Sequence, residues 1–201
     1  MSESEARELC AGLYSDEGAE YVKVIEIAAA SLRPMIALPG DPGNGMYVNE
    51  LPGEVAIDIA YAGSCTAGKK EDMDMYARVF AEALERGEKV APGVRCFIQC
   101  GSREVFQYCQ EKGYDRVFDD VGATFIEPSC GACINAGPGV SRTKDDVTIS
   151  AINRNFPGRS GPGQLYLASP YTVAASAIAG RIVEWHAEGE ARDATPELAN
   201  A

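Results

Sequence analysis

The chain has 201 residues, 46% of them apolar and 24% charged, and a formal net charge of −12. That length suits one domain with tails and needs no disulfide staples, while the negative charge disfavours nucleic acid and anionic membrane as partners, and no apolar run approaches a membrane span. The acidic start, Met1-Ser-Glu-Ser-Glu5, lacks the basic-then-apolar order of a signal peptide, so a cytoplasmic location is expected and the seven cysteines are expected to be reduced thiols.

Residues 1–16 read as a polar lead-in or linker with one weak helical turn through Leu9 and Leu13. A single domain is expected over 17–185, followed by a flexible tail, 186–201, that carries the sole histidine, His186. Within the domain, Tyr21 to Ile27 alternates enough for a strand, and Leu32 to Leu38 follows it into the turn Pro39-Gly-Asp-Pro-Gly-Asn-Gly45. That turn lacks the Gly-Lys-Ser/Thr and GxGxxG patterns, which argues against phosphate cradling.

The β-branched run Val55 to Ala60 predicts a buried strand leading into Ala62-Gly-Ser-Cys-Thr-Ala-Gly68, so Cys65 sits just past a strand end. Met73, Tyr76, Ala77, Phe80, Ala83 and Leu84 then recur at helical spacing up to Gly87, which puts the Cys65 thiol near a helix N-terminus, where thiolate is favoured. A second unit follows, with a strand from Val94 to Gln99 and a helix from Arg103 to Lys112. A short helix over Tyr114 to Val121 and a strand over Ala123 to Ile126 come next. The latter feeds Pro128-Ser-Cys-Gly-Ala-Cys-Ile-Asn-Ala-Gly-Pro138, a CxxC in a loop bounded by Gly and Pro.

Alone, that pair reads equally as half a zinc site, a redox disulfide, part of an iron-sulfur site or two core thiols. Strands are expected over Val147 to Ile152 and Gln164 to Ala168, the first delivering Asn153-Arg-Asn-Phe-Pro-Gly-Arg159. Ser169 and Pro170 mark the start of a last helix that runs to Gly180. Strand–loop–helix alternation of this kind points to a three-layer α/β/α domain around a mostly parallel sheet, whose ligands gather beyond the carboxyl ends of the strands. Cys65, Cys130, Cys133, Asn153, Arg154 and Arg159 all follow a strand end, and from Pro128 to Ser160 the charge is net +2, leaving −14 elsewhere. Soft thiols without a nearby histidine suit a soft metal, and guanidiniums suit carboxylates.

Taken together, Gly63-Ser-Cys-Thr66, Cys130-Gly-Ala-Cys133, Asn153 to Arg159, Tyr166-Leu-Ala-Ser-Pro170 and Thr172-Val-Ala-Ala-Ser-Ala-Ile-Ala-Gly180 resemble the aconitase and isopropylmalate dehydratase superfamily. The stretch Arg33-Pro-Met-Ile-Ala-Leu-Pro-Gly-Asp-Pro42 is similar to the start of that family's third domain, and the resemblance runs from about residue 18 to 183. It implies part of a hydro-lyase that dehydrates and rehydrates a hydroxy di- or tricarboxylate. It further implies a 4Fe-4S cluster held by Cys65, Cys130 and Cys133, and substrate contacts from Asn153, Arg154 and Arg159. The partners it implies are the remaining large-subunit domains and a swivel domain or small subunit, which carries the catalytic serine base; no catalytic residue is assigned within this chain. The family usually has Asn at the position of Ala67 and Pro at that of Ala132. Two other readings remain, a zinc-binding or thiol-redox CxxC module and a non-catalytic iron-responsive RNA-binding role.

Overall fold

The computed structural model describes residues 2–186. By their internal contacts these fall into two units, one up to Leu32 and one from Arg33 onward. In the first, helix α1 (Glu3–Leu9) is closed by a reciprocal cap: Glu5 N–H donates to Ser2 Oγ at 3.3 Å, and Ser2 N–H donates to Glu5 Oε2 at 2.6 Å. The helix is longer than the single turn expected, and Leu13 lies beyond it. The strand expected over Tyr21 to Ile27 is absent, and these side chains are exposed. Alternation gives a segment a face to bury but no hydrogen-bond partner, and among the described residues no strand pairs with this one.

The second unit is built on a sheet of seven strands: β1 (Met35–Ala37), β2 (Gly45–Tyr47), β3 (Ile59–Gly63), β4 (Arg95–Gln99), β5 (Thr124–Ile126), β6 (Val147–Ser150) and β7 (Gln164–Ala168). Their order is β2-β1-β7-β6-β3-β4-β5, parallel from β7 to β5, with β1 antiparallel to both of its neighbours. β3 starts later than the run Val55 to Ala60 suggests, because the residues before Ile59 are engaged elsewhere: Ala56 bridges Arg181, and Ile57 N–H donates to Gly180 O at 3.1 Å. The short edge strand β2 carries no signal in the sequence beyond the turn before it.

Helices α2 (Lys70–Glu85), α3 (Arg103–Lys112), α4 (Tyr114–Val121) and α5 (Pro170–Ala179) belong to one face of the sheet. Their apolar stripes meet Ala60, Ala62, Cys96, Ile98 and Ile149 there. The ends follow local chemistry: Ser102 and Ser169 cap α3 and α5, while Gly113, at φ 74°, stops α3 and starts α4. On the other face Ile59, Tyr61, Phe97, Ile126, Leu165 and Leu167 are covered by a 3-10 turn, Gly131–Ile134, with its flanking loops. The three-layer class around a mostly parallel sheet is therefore as expected, with its third layer the thinnest. Among the described residues no helix is long and apolar enough to cross a membrane.

The loop before β6 is fastened by Asp146, which accepts from Arg142 N–H and Thr143 Oγ1, each at 2.7 Å, and pairs with Arg95 at 3.3 Å. The Arg142 amide above all, then the Thr143 hydroxyl, holds its carboxyl below the ordinary range against a smaller opposing effect of burial. A depressed carboxyl contributes stability above its unfolded value, about 3.9, and loses it as pH falls through the folded value. Asp146→Asn is therefore expected to lower the urea midpoint at pH 7 and to converge with wild type in strong acid. Equal midpoints at pH 7 would contradict this role.

Candidate metal centre at the switch point of the sheet

From β3 the chain proceeds to β4 and β5 on one side, then crosses back to lay β6 and β7 on the other. Where two parallel neighbours send their chains in opposite directions, a crevice opens beyond their carboxyl ends. Here those neighbours are β3 and β6, and three loops reach their carboxyl edge: the turn after β3 with Cys65, the loop after β5 with Cys130 and Cys133, and the loop after β6 with Asn153 to Arg159.

The first turn is forced by close packing. Gly63 lies at φ 112°, and a Cβ there would stand 1.8 Å from Gln99 O. Ser64 follows at φ 65°, unusual for a non-glycine residue, with its N–H donating to Gln99 O at 3.0 Å. The Ser64 hydroxyl is buried without a partner, and Cys65 emerges exposed. Helix α2 begins only at Lys70, so the thiol precedes its first turn rather than capping it.

In the second loop Cys133 N–H donates to Cys130 O at 3.1 Å, winding the CxxC into the 3-10 turn that Asn135 ends at φ 60°. Cys130 is exposed and Cys133 buried. The loop wraps Tyr61: a Cβ on Gly131 would reach the phenol oxygen at 2.4 Å, and one on Gly139 would reach the ring at 2.3 Å. The Tyr61 hydroxyl donates to Gln99 Oε1, and Gln99 Nε2 donates to Glu127 O at 3.0 Å and Ser129 Oγ at 2.7 Å. Burial pushes the Tyr61 phenol up to about 12; the Ala132 backbone opposes, and thiols Cys133, Cys130 and Cys65 add to the rise.

The third loop is anchored by Asn155, whose Nδ2 donates to Leu38 O at 2.7 Å and Leu165 O at 3.2 Å. That leaves Asn153 and Arg154 exposed, with Arg154 Nη1 donating to Asn153 O at 2.7 Å. Arg159 turns inward, its Nη2 donating to Cys133 Sγ at 3.1 Å, while its buried Nε has no partner. Ser160 Oγ donates to Ala132 O at 2.6 Å and ties this loop to the CxxC turn. The structure thus joins Arg159 directly to Cys133 and sets Asn153 and Arg154 at the rim. Among the described residues, no three His, Cys, Asp or Glu side chains are gathered so as to hold a metal ion.

The remaining cysteines are of another kind. Cys96, Cys100 and Cys109 are buried in the helix-side core, Cys100 Sγ lying 3.7 Å from Cys109 Sγ and 3.8 Å from Met73 Sδ. Burial pushes the Cys96 thiol up to about 12, and Cys109 with burial raises Cys100 further, so the Cys96 and Cys100 sulfurs stay protonated. Cys10 is exposed in the N-terminal unit. Tyr61, Gln99, Ser129 and Ser160 escaped the sequence reading. Only Gln99, an amide in a run of apolar strand residues, left a trace there.

The profile of the Aconitase family (aconitate hydratase) matches residues 2–180. The chain is 41% identical over 170 residues to the 3-isopropylmalate dehydratase large subunit of Aquifex aeolicus (strain VF5), covering 84% of this chain and 39% of that protein. It is 40% identical over 174 residues to the protein of the same name from Campylobacter concisus (strain 13826), covering 85% of this chain and 40% of that one. The chain therefore spans about two fifths of the length of the curated relatives it matches.

Proposed function

Because the chain belongs to the aconitase family, we propose that it is the cluster-bearing part of an iron-sulfur hydro-lyase acting on a hydroxy di- or tricarboxylate. A 3-isopropylmalate-type diacid is the first candidate, given the names of its relatives. The observation that carries this reading is that the loops bearing Cys65, Cys130 and Cys133 all leave carboxyl ends of parallel strands, with Arg159 donating to the Cys133 sulfur.

The donor set fits a 4Fe-4S cluster. It is all sulfur, two of its thiols are exposed enough to turn, and Arg159 already offers the charge-assisted hydrogen bond that a thiolate needs. Cys65, Cys130 and Cys133 would be the residues that hold the cluster. Three cysteines leave one iron open, and the bound cluster would supply a Lewis acid for the substrate hydroxyl and a carboxylate. The chain's own contribution is to orient. Arg159, with an unpartnered Nε beside the thiols, and Arg154 with Asn153 at the rim present guanidinium and amide donors to the substrate carboxylates. The partners proposed are the rest of a large subunit and a swivel domain or small subunit.

Anaerobic loading with iron and sulfide, then assay with co-expressed partner pieces on 3-isopropylmalate and aconitate, tests the proposal. Zinc without acid-labile sulfide would favour a CxxC module instead, and salt-sensitive RNA binding would favour the regulatory reading.

In the assembled enzyme Arg159→Lys and Arg154→Lys are each expected to weaken substrate binding or turnover by about 1.5–3 kcal/mol, because lysine cannot reproduce the planar fork. The effect should be larger at the half-buried Arg159. Steady-state kinetics unchanged in both variants would remove the arginines from the substrate site.

A further inference from the structure

Two side chains from the floor of the sheet hold the CxxC loop on both sides of Cys130. Tyr61 on β3 donates its hydroxyl to Gln99 on β4, and the phenol oxygen packs so closely on Gly131, just after Cys130, that a Cβ there would stand 2.4 Å from it. The Gln99 amide in turn donates to Glu127 O and Ser129 Oγ, upstream of Cys130. The pair is nearly sealed from water, Tyr61 at 1% and Gln99 at 1% exposure, so each bond it makes lacks a solvent substitute. The Tyr61 carbonyl also accepts from Ser150 Oγ at 2.7 Å and Ala151 N–H at 3.3 Å, at the root of the arginine loop. One residue is therefore fastened to two of the site loops and stands two residues before Gly63, where the third begins.

We propose that Tyr61 and Gln99 are positioning residues for the CxxC pair, fixing where Cys130 and Cys133 present their sulfurs to the cluster. This rests on the function proposed above for those thiols. A buried Tyr–Gln pair could equally be a stabilising strut, and the energetics of buried polar groups separate the two roles. Removing one partner leaves a buried donor or acceptor unsatisfied, whereas replacing both by apolar groups of similar shape is nearly neutral for stability. A strut is thus restored in part by the double replacement, and positioning of the loop is not.

The test uses the 201-residue chain with Tyr61→Phe, Gln99→Met and the two combined. In the metal-free chain, N-ethylmaleimide labelling of the buried Cys133 is followed against the exposed Cys10 as internal reference. In the loaded chain, the rate of cluster breakdown in air is followed by its visible absorption. Each single variant is expected to speed Cys133 labelling roughly tenfold, as loss of about 1.4 kcal/mol of loop closure would. The double variant removes both ends of the Tyr61–Gln99 bond but leaves Glu127 O and Ser129 Oγ without their donor, so its thermal midpoint should recover only above that expected from adding the two single losses, while its labelling and cluster breakdown stay fast. Wild-type labelling in both single variants would overturn the proposal, and so would a double variant whose labelling returns to the wild-type rate. If wild type itself takes up no iron and sulfide, the cluster function falls, while the labelling still decides whether this pair sets the cysteine geometry.

Discussion

Serine at Cys65, Cys130 or Cys133 is expected to leave the anaerobically loaded chain without its full iron and sulfide, whereas serine at Cys10, Cys96, Cys100 or Cys109 leaves the load per folded chain intact. The contrast follows from where the sulfurs lie. Cys65, Cys130 and Cys133 border the crevice beyond β3 and β6, where Arg159 donates to the Cys133 sulfur. Cys109 together with burial raises the pKa of Cys100, and burial raises that of Cys96, so these two resist becoming the thiolates that iron requires. Serine is nearly isosteric but offers a hard, weakly acidic oxygen in place of a soft donor, so one lost ligand costs the cluster rather than the fold. Cys133 is the most severe case, because its replacement also strands the Arg159 guanidinium. Iron and acid-labile sulfide are measured on chains shown to be folded. Full loading of all three crevice variants would sink the ligand assignment.

The loaded chain by itself is expected to turn over neither 3-isopropylmalate nor aconitate. Dehydration needs a base within hydrogen-bond reach of the proton on the carbon beside the leaving hydroxyl. Of the three acidic side chains in the loop between β5 and β6, Asp146 is committed to Arg142, Thr143 and Arg95, while Glu127 and Asp145 are exposed near its two ends. The one histidine, His186, pairs with Glu184 at 3.2 Å beyond α5. The family resemblance assigns the base to a swivel piece. The crevice as it stands also leaves Cys65, Cys130 and Arg154 exposed, without the dry enclosure in which aimed charges do most for a transition state. Supplying the other three fifths or so of a large subunit, with a swivel piece of the kind proposed above, should bring activity from background to measurable turnover. Clear turnover by the isolated chain would show that its own loops hold the base.

How much of this was legible in the sequence depended on whether local chemistry alone decided the outcome. The cap at Ser169, the bounds of α3 and the apolar stripe of α2 are local, and each was readable, whereas the Ser102 cap was not singled out. The placement of thiols and arginines beyond strand ends was also readable, since a parallel sheet sends all such loops to one edge. Tyr21 to Ile27 was misread because pairing requires a partner that alternation cannot reveal, and β2 was missed because three residues carry too little pattern. The supporting shell was invisible for a related reason. Tyr61 and Gln99 are far apart in sequence and ordinary by composition, and only the register of β3 against β4 sets them side by side. Likewise, the inward turn of Arg159 and outward display of Arg154 come from Asn155 anchoring the loop to Leu38 and Leu165.

The central position of β3 bears on how the molecule comes into being. Its five residues are wholly buried, yet one of its two neighbours, β6, lies far down the chain, Ser150 coming 89 positions after Tyr61. A growing polypeptide can pair β3 with β4 and β4 with β5 as soon as each emerges, because helices α2 to α4 supply the crossovers. Throughout that interval the other margin of β3, Ile-Ala-Tyr-Ala-Gly, is an unpaired apolar border of the kind that recruits foreign strands. Arrival of β6 closes that border and brings the arginine loop over the cysteines in the same movement, so completing the sheet and closing the crevice are one event in the birth of the chain.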